Sequence, residues 1–206
     1  MITSVSGPLS GDEFLHLPAG RIFPQPARLM PLPVFPGWVG PLAVALRPQG
    51  ADDLPFMRTL YLSHRWEEMS ATGWPEATRR AFLEDQFRLQ WLHYSNHYNQ
   101  ADFLVVELDG QPAGRLYLYN AHPTELRIVE IGLMPEWRGH GVGGALLRAV
   151  QEYAGQAGKF CSINVEQSNK ARHLYERLGF RKISENGPYM LMEWDLPGRT
   201  SPDQPV

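Results

Sequence analysis

Ile131-Gly132-Leu133-Met134-Pro135-Glu136-Trp137-Arg138-Gly139-His140-Gly141-Val142-Gly143-Gly144-Ala145-Leu146-Leu147 joins a strand-like apolar run to a helix-like one through a loop of four glycines. A glycine has no Cβ, so the backbone can turn sharply and approach a ligand closely. The first turn of the helix that follows offers N–H groups with no intrahelical acceptor, and its dipole favours an anion there. Arg138 adds a positive charge beside them. The segment Arg138, Gly139, His140, Gly141, Val142, Gly143 and Gly144 therefore suits a pyrophosphate. A glycine-rich turn that binds nothing is the plainer alternative.

Gly139, Gly141 and Gly144 also fit the dinucleotide pattern Gly-x-Gly-x-x-Gly, and Glu166 lies near the spacing of its ribose-binding acid. Two features oppose an oxidoreductase of that kind. The dinucleotide turn starts directly after its strand, whereas Pro135-Glu136-Trp137-Arg138 intervene here. That pattern also opens a repeated parallel unit, whereas the elements upstream of this loop pair as a hairpin.

Working outward, the pattern predicts strands over 42–46, 103–108, 113–119, 126–133, 160–165, 181–184 and 189–194. Asp109-Gly110 between two of them is a hairpin signal. Helices are predicted after Asp52 or Asp53, with Leu54, Met57, Leu60 and Tyr61 at helical spacing, and from Pro75, with the stripe Leu83, Phe87, Trp91 and Tyr94. Two more cover 143–154, with Gly155 as its stop, and 169–178, ended by Gly179. The order is strand, two helices, three strands, helix, strand, helix, two strands. It implies an α/β chain of the α+β type with a mixed sheet. Residues 1–40 carry seven prolines and read as an irregular arm, with Met30 an alternative start; 41–196 read as one domain, and 197–206 as a polar tail.

Two segments resemble the GNAT acyltransferases. Arg138, Gly141 and Gly143 fill the fixed places of that family's Arg/Gln-x-x-Gly-x-Gly/Ala pattern, and Asn169 with Leu174-Tyr175-Glu176-Arg177-Leu178-Gly179-Phe180 resembles its later Asn…Leu-Tyr-x-x-Leu-Gly-Phe segment. The resemblance covers about residues 41–196 by element order and omits the arm. It implies the GNAT fold, a mixed and mostly antiparallel central sheet with helices on both faces. It also implies acetyl-coenzyme A as cosubstrate, bound by the glycine loop, by the backbone of Ile131, Leu133 and Met134 on a splayed strand, and by Asn169. Tyr175 would protonate the departing thiolate; the alternative is a core tyrosine. Asn169 also reads as a helix N-cap. Glu130, on the strand face of Gly132, is the candidate base for an attacking ammonium whose reference pKa is about 10.4; the alternative is a solvated carboxylate.

The acceptor is then an amine-bearing small molecule or peptide, of unread identity. Trp66, Trp74, Trp91, Tyr94 and Tyr98 crowd the first two helices, which face the acceptor in the family; they suit an aromatic pocket or ordinary packing. An acyl-coenzyme A sensor without turnover fits the same loop. The net charge of −3 gives no footprint for nucleic acid. Neither a membrane helix nor a basic leader is expected, so the chain reads as cytoplasmic, with its oligomeric state open. No metal is expected: His93 and His97 stand at a ligand spacing that nothing completes. The lone Cys161 reads as a small core hydrophobe.

Overall fold

In the computed structural model, residues 37–196 are described. The arm (apart from its last four residues), Met30 and the 197–206 tail lie outside them. The described chain divides into two compact units. One is Gln49–Asn99; the other comprises 37–48 and 100–196.

The first unit is a helix pair, α1 (Leu54–Ser70) and α2 (Glu76–His97). Asp53 opens α1, its carboxylate accepting the Gly50 N–H at 2.7 Å, and Pro55 follows where a missing donor costs nothing. The buried residues Met57, Leu60 and Tyr61 of α1 and Leu83, Phe87 and Trp91 of α2 recur at helical spacing. Tyr61 and Phe87 meet across the pair at 5.6 Å, and Arg58 bonds Glu84. Tyr94, expected on the buried stripe, is only half-buried.

The second unit holds an eight-stranded sheet of β1 (Trp38–Val39), β2 (Leu42–Pro48), β3 (Ala101–Leu108), β4 (Gln111–Tyr119), β5 (Glu125–Leu133), β6 (Phe160–Glu166), β7 (Arg181–Asn186) and β8 (Tyr189–Trp194), in the order β1-β2-β3-β4-β5-β6-β8-β7. Among the described strands only the β5–β6 pair is parallel. The mixed, mostly antiparallel sheet expected from the sequence is what the chain forms. Asp109 and Gly110 both take positive φ at the β3–β4 turn, as a two-residue hairpin requires. The Asp109 carboxylate accepts the Ala43 N–H at 2.9 Å and so ties β2 to that turn. Strand β1 begins inside the stretch assigned to the arm, because a two-residue strand leaves no periodicity to read.

Helix α3 (Val142–Gln156) buries Val142, Leu146, Leu147, Val150 and Ala154. Burying a side chain of Val or Leu size contributes roughly 1.5–3 kcal/mol, so this stripe fixes α3 more firmly than helix propensity does. Gly155 does not end it. A Cβ there would stand 3.2 Å from Leu196 Cδ2, so the glycine serves close packing. The helix stops at Gly158, in the left-handed region at φ +68°, and the Lys159 N–H bonds back to the Ala154 carbonyl at 2.9 Å. Helix α4 (Arg172–Arg177) is shorter than the expected 169–178. Its first residues are held in a turn instead, the Asn169 Oδ1 accepting the Ala171 N–H at 2.9 Å.

Candidate active site

The glycine loop is built by a sequence of tight turns. The Met134 N–H donates to the Ala113 carbonyl at 2.9 Å, and a 3-10 turn over Pro135–Trp137 follows. Gly139 and Gly141 then take φ of +79° and +82°, a region that L side chains rarely adopt. Gly141 is the N-cap of α3, with no side chain bonded to the cap, and the first helical bond runs from Ala145 N–H to the Gly141 carbonyl at 3.0 Å. The N–H groups of Val142, Gly143 and Gly144 precede that bond and form the anion-facing end of the helix. His140 folds its Nδ1–H back onto the Arg138 carbonyl at 2.9 Å and shapes the loop rather than reaching out of it. Arg148, one turn on from Gly144, brings its guanidinium within 3.7 Å of the place a Cβ of Gly144 would occupy. Sequence reading missed this second cation. Helical i,i+4 spacing from the loop was the signal that would have found it.

Beside the loop the sheet opens. The parallel pairs of β5 and β6 run from Glu125↔Phe160 to Ile128↔Ile163. Beyond them β5 continues along β4 to Leu133, while β6 continues along β8 to Glu166. The parting coincides with a bulge: Tyr117↔Glu130 is followed by Leu118↔Ile128, so Val129 is the extra residue. A bulge bends its strand and increases the local twist, which turns the end of β5 away from β6. The Met134–Ala113 bond sets the alternation on β4. It makes the peptide groups of Gly132 and Glu130 face β4, and those of Ile131 and Leu133 face the opening. The Leu133 carbonyl accepts the Arg138 Nε–H there at 3.0 Å, joining the loop to the mouth of the splay.

Glu130 is part-buried and paired. Its carboxylate is bound by Arg115, whose side chain is 2% exposed against 18% for that of Glu130. Arg115 stands opposite Gly132, and Tyr117 opposite Glu130, so all four share one face of the sheet. The Arg115 guanidinium lies 5.4 Å over the Tyr117 ring, which packs edge-on to Phe103 at 4.7 Å. Sequence reading passed over Arg115. Its signal was a cation inside the apolar run of β4, in register with an acid on β5.

Tyr175 of α4 is 4% exposed and packs edge-on to Phe180. No described residue hydrogen-bonds its hydroxyl. Burial, and after it the charge of Glu130, push that hydroxyl up to about 12. Tyr175 and Glu130 thus share one electrostatic environment at the end of β5. Gln151 Nε2–H donates to the Leu178 carbonyl at 2.8 Å and clamps the end of α4 to α3. Leu174 lies within 3.7 Å of the Cβ positions of Gly143 and Gly144, so α4 also seats against the glycine loop.

Residues 62–180 match the family model described as the acetyltransferase (GNAT) family. The chain belongs to the GNAT acetyltransferase family. An uncharacterized N-acetyltransferase of Bacillus subtilis is 37% identical over 94 residues, which are 42% of this chain and 62% of that protein. Another from Methanocaldococcus jannaschii is 35% identical over 88 residues, 39% of each. The matched stretch thus spans less than two thirds of either curated relative. Among solved structures, the PaiA N-acetyltransferase of Thermoplasma acidophilum in complex with coenzyme A superposes with a TM-score of 0.59 at 18% identity, over 75% of this chain and 99% of that one. An acetyltransferase of Thermus thermophilus gives 0.54 at 20%, over 74% and 97%. These likenesses are of fold, and with the family match they bear out the GNAT fold expected from the two motifs.

The remaining residues singled out in this GNAT chain lie elsewhere. Cys161 is fully buried in β6, and burial pushes its thiol up to about 12. His93 and His97 stack on each other at 4.4 Å, and no group of three or more His, Cys, Asp or Glu suited to a metal occurs among the described residues. Of the aromatic residues of the helix pair, Trp91 is buried, Trp66 lies under Arg79 at 4.7 Å, and Trp74 packs edge-on to Phe82 at 5.5 Å. Among the described residues no helix is long and apolar enough to cross a membrane.

Proposed function

We propose that this chain transfers an acetyl group from acetyl-coenzyme A to an amine, directly, in a ternary complex. The splay of β5 from β6 beside the glycine loop carries this reading. It offers a strand edge to an extended, amide-bearing arm, and the start of α3 lies beside it for a diphosphate. The cosubstrate supplies the acyl thioester. Ile131 and Leu133 would pair with its arm, and the N–H groups from Gly139 to Gly144 with Arg138 would hold its phosphates; Met134, expected on that edge, instead spends its N–H on Ala113 and its carbonyl on Trp137. Asn169 would contact the arm where β6 leads into α4.

Glu130 would draw the acceptor ammonium to the end of β5 and take its proton, directly or through water. Tyr175 keeps its own proton up to a pH near 12. That lies well above the reference of about 8.5 for a thiol, so outright transfer to sulfur is uphill and the hydroxyl serves by donating a hydrogen bond to the departing thiolate. The test is release of free thiol from acetyl-coenzyme A with a panel of small amines and peptides, the products being identified by mass. Amine-dependent release with an acetylated product is expected. Tight binding with no release across the panel would favour a sensor.

A further inference from the structure

We propose that Arg115 is a positioning residue, a buried guanidinium that fixes the Glu130 carboxylate at the end of the splay. The inference rests on the acyltransfer reading and adds to it a residue outside both sequence motifs. Three observations carry it. First, the β4–β5 register puts Arg115 opposite Gly132 and one diagonal step from Glu130, on the same face. Gly132 has no side chain to contest that face, so the arginine can lean along β5 toward the acid. Second, the Tyr117 ring, fully buried, lies beneath the guanidinium at 5.4 Å and limits where it can go. Third, the pair is graded in exposure, 2% for the Arg115 side chain and 18% for that of Glu130. The cation is sealed in the sheet while the anion keeps part of its surface exposed. The acid of the pair is also near enough to Tyr175 for its charge to help raise that hydroxyl.

The role requires a planar fork. Arg presents donors in a rigid plane matched to a carboxylate, whereas Lys offers a point charge on a flexible stem. The test is therefore kinetic, on the full chain, with the amine identified by the thiol-release panel. Arg115→Met, Arg115→Lys, Glu130→Gln and the Arg115→Met/Glu130→Gln pair are compared for turnover, for KM of the amine, and for acetyl-coenzyme A affinity by calorimetry. Arg115→Met is expected to lower kcat/KM for the amine about 10- to 100-fold, the range of a displaced general base, with cosubstrate affinity within about twofold. Arg115→Lys should fall between it and the parent, about 3- to 10-fold down. The double variant should be no slower than Glu130→Gln, because the arginine acts through the acid. Parent kinetics in Arg115→Met, or losses that multiply in the double variant, would overturn the positioning role while acyl transfer stood. If Arg115→Met fails to fold, Arg115→Lys decides: the parent rate there overturns the proposal. A parent protein that turns over no amine overturns the acyltransfer reading, and this proposal with it.

Discussion

Tyr175 is where a single oxygen separates packing from chemistry. Tyr175→Phe keeps the ring against Phe180 and forfeits no hydrogen bond to a described residue, so the melting temperature should hold. Turnover should fall about 10- to 100-fold, the low end for a proton-handling group, with acetyl-coenzyme A affinity unchanged. The deficit should stay constant across neutral and mildly alkaline pH, because the hydroxyl keeps its proton throughout that range. Kinetics across pH with parallel melting curves check this, and a variant as fast as the parent throughout would return Tyr175 to the core. The residue was legible because its helix carries a specific motif. Its unusually firm hold on the proton was not, since that depends on burial and on Glu130, which belongs to another element. Arg115 was illegible for the same reason: its meaning lies in a cross-strand register that no local pattern encodes.

Strand β5 does the most at the level of elements, and its shape depends on β4. A Cβ on Gly114 would meet the Gly132 carbonyl at 2.3 Å and Leu133 Cδ2 at 2.7 Å, both on β5 beside the opening. Gly114→Ala is therefore expected to destabilise the fold by about 1–3 kcal/mol, the usual cost of overpacking, and to weaken acetyl-coenzyme A binding by displacing the strand edge. Denaturant unfolding and calorimetry measure the two effects, and an unperturbed variant would show that β4 does not set the path of β5. Elements with long periodic stripes or glycine punctuation were readable, as α1 to α3 and the β3–β4 hairpin show. The splay was available only through the resemblance. Its physical cause, the bulge at Val129, shows in sequence only as the adjacent apolar pair Ile128-Val129, where the apolar positions pass from even to odd, and one doubled step does not reveal that two strands part. Gly155 misled because a glycine needed for close packing and a glycine that ends a helix are the same letter.

For the whole molecule, pH tests the burial of the sheet. The Cys161 thiol is raised from 9.0 to about 12, so the folded state holds its proton more tightly than the unfolded chain does. The stability this gives is complete below pH 9 and is lost as pH rises toward 12. Cys161→Ala should remove roughly 1 kcal/mol of the loss in unfolding free energy between pH 8 and pH 10, read from denaturant curves at each pH. An unchanged pH slope would mean that the thiol is not sealed in the native sheet. Acetyl-coenzyme A is proposed to lie along the splay with its diphosphate on the loop that opens α3. Gly141 stands at φ +82° on that loop, where a β-branched side chain is strained and would stand between the backbone and a ligand. Calorimetric titration of acetyl-coenzyme A into the parent and into Gly141→Val, both confirmed folded, is the most direct measurement. One-to-one binding by the parent and loss of binding in the variant are expected; equal affinity in the two, or none in the parent, would contradict that placement.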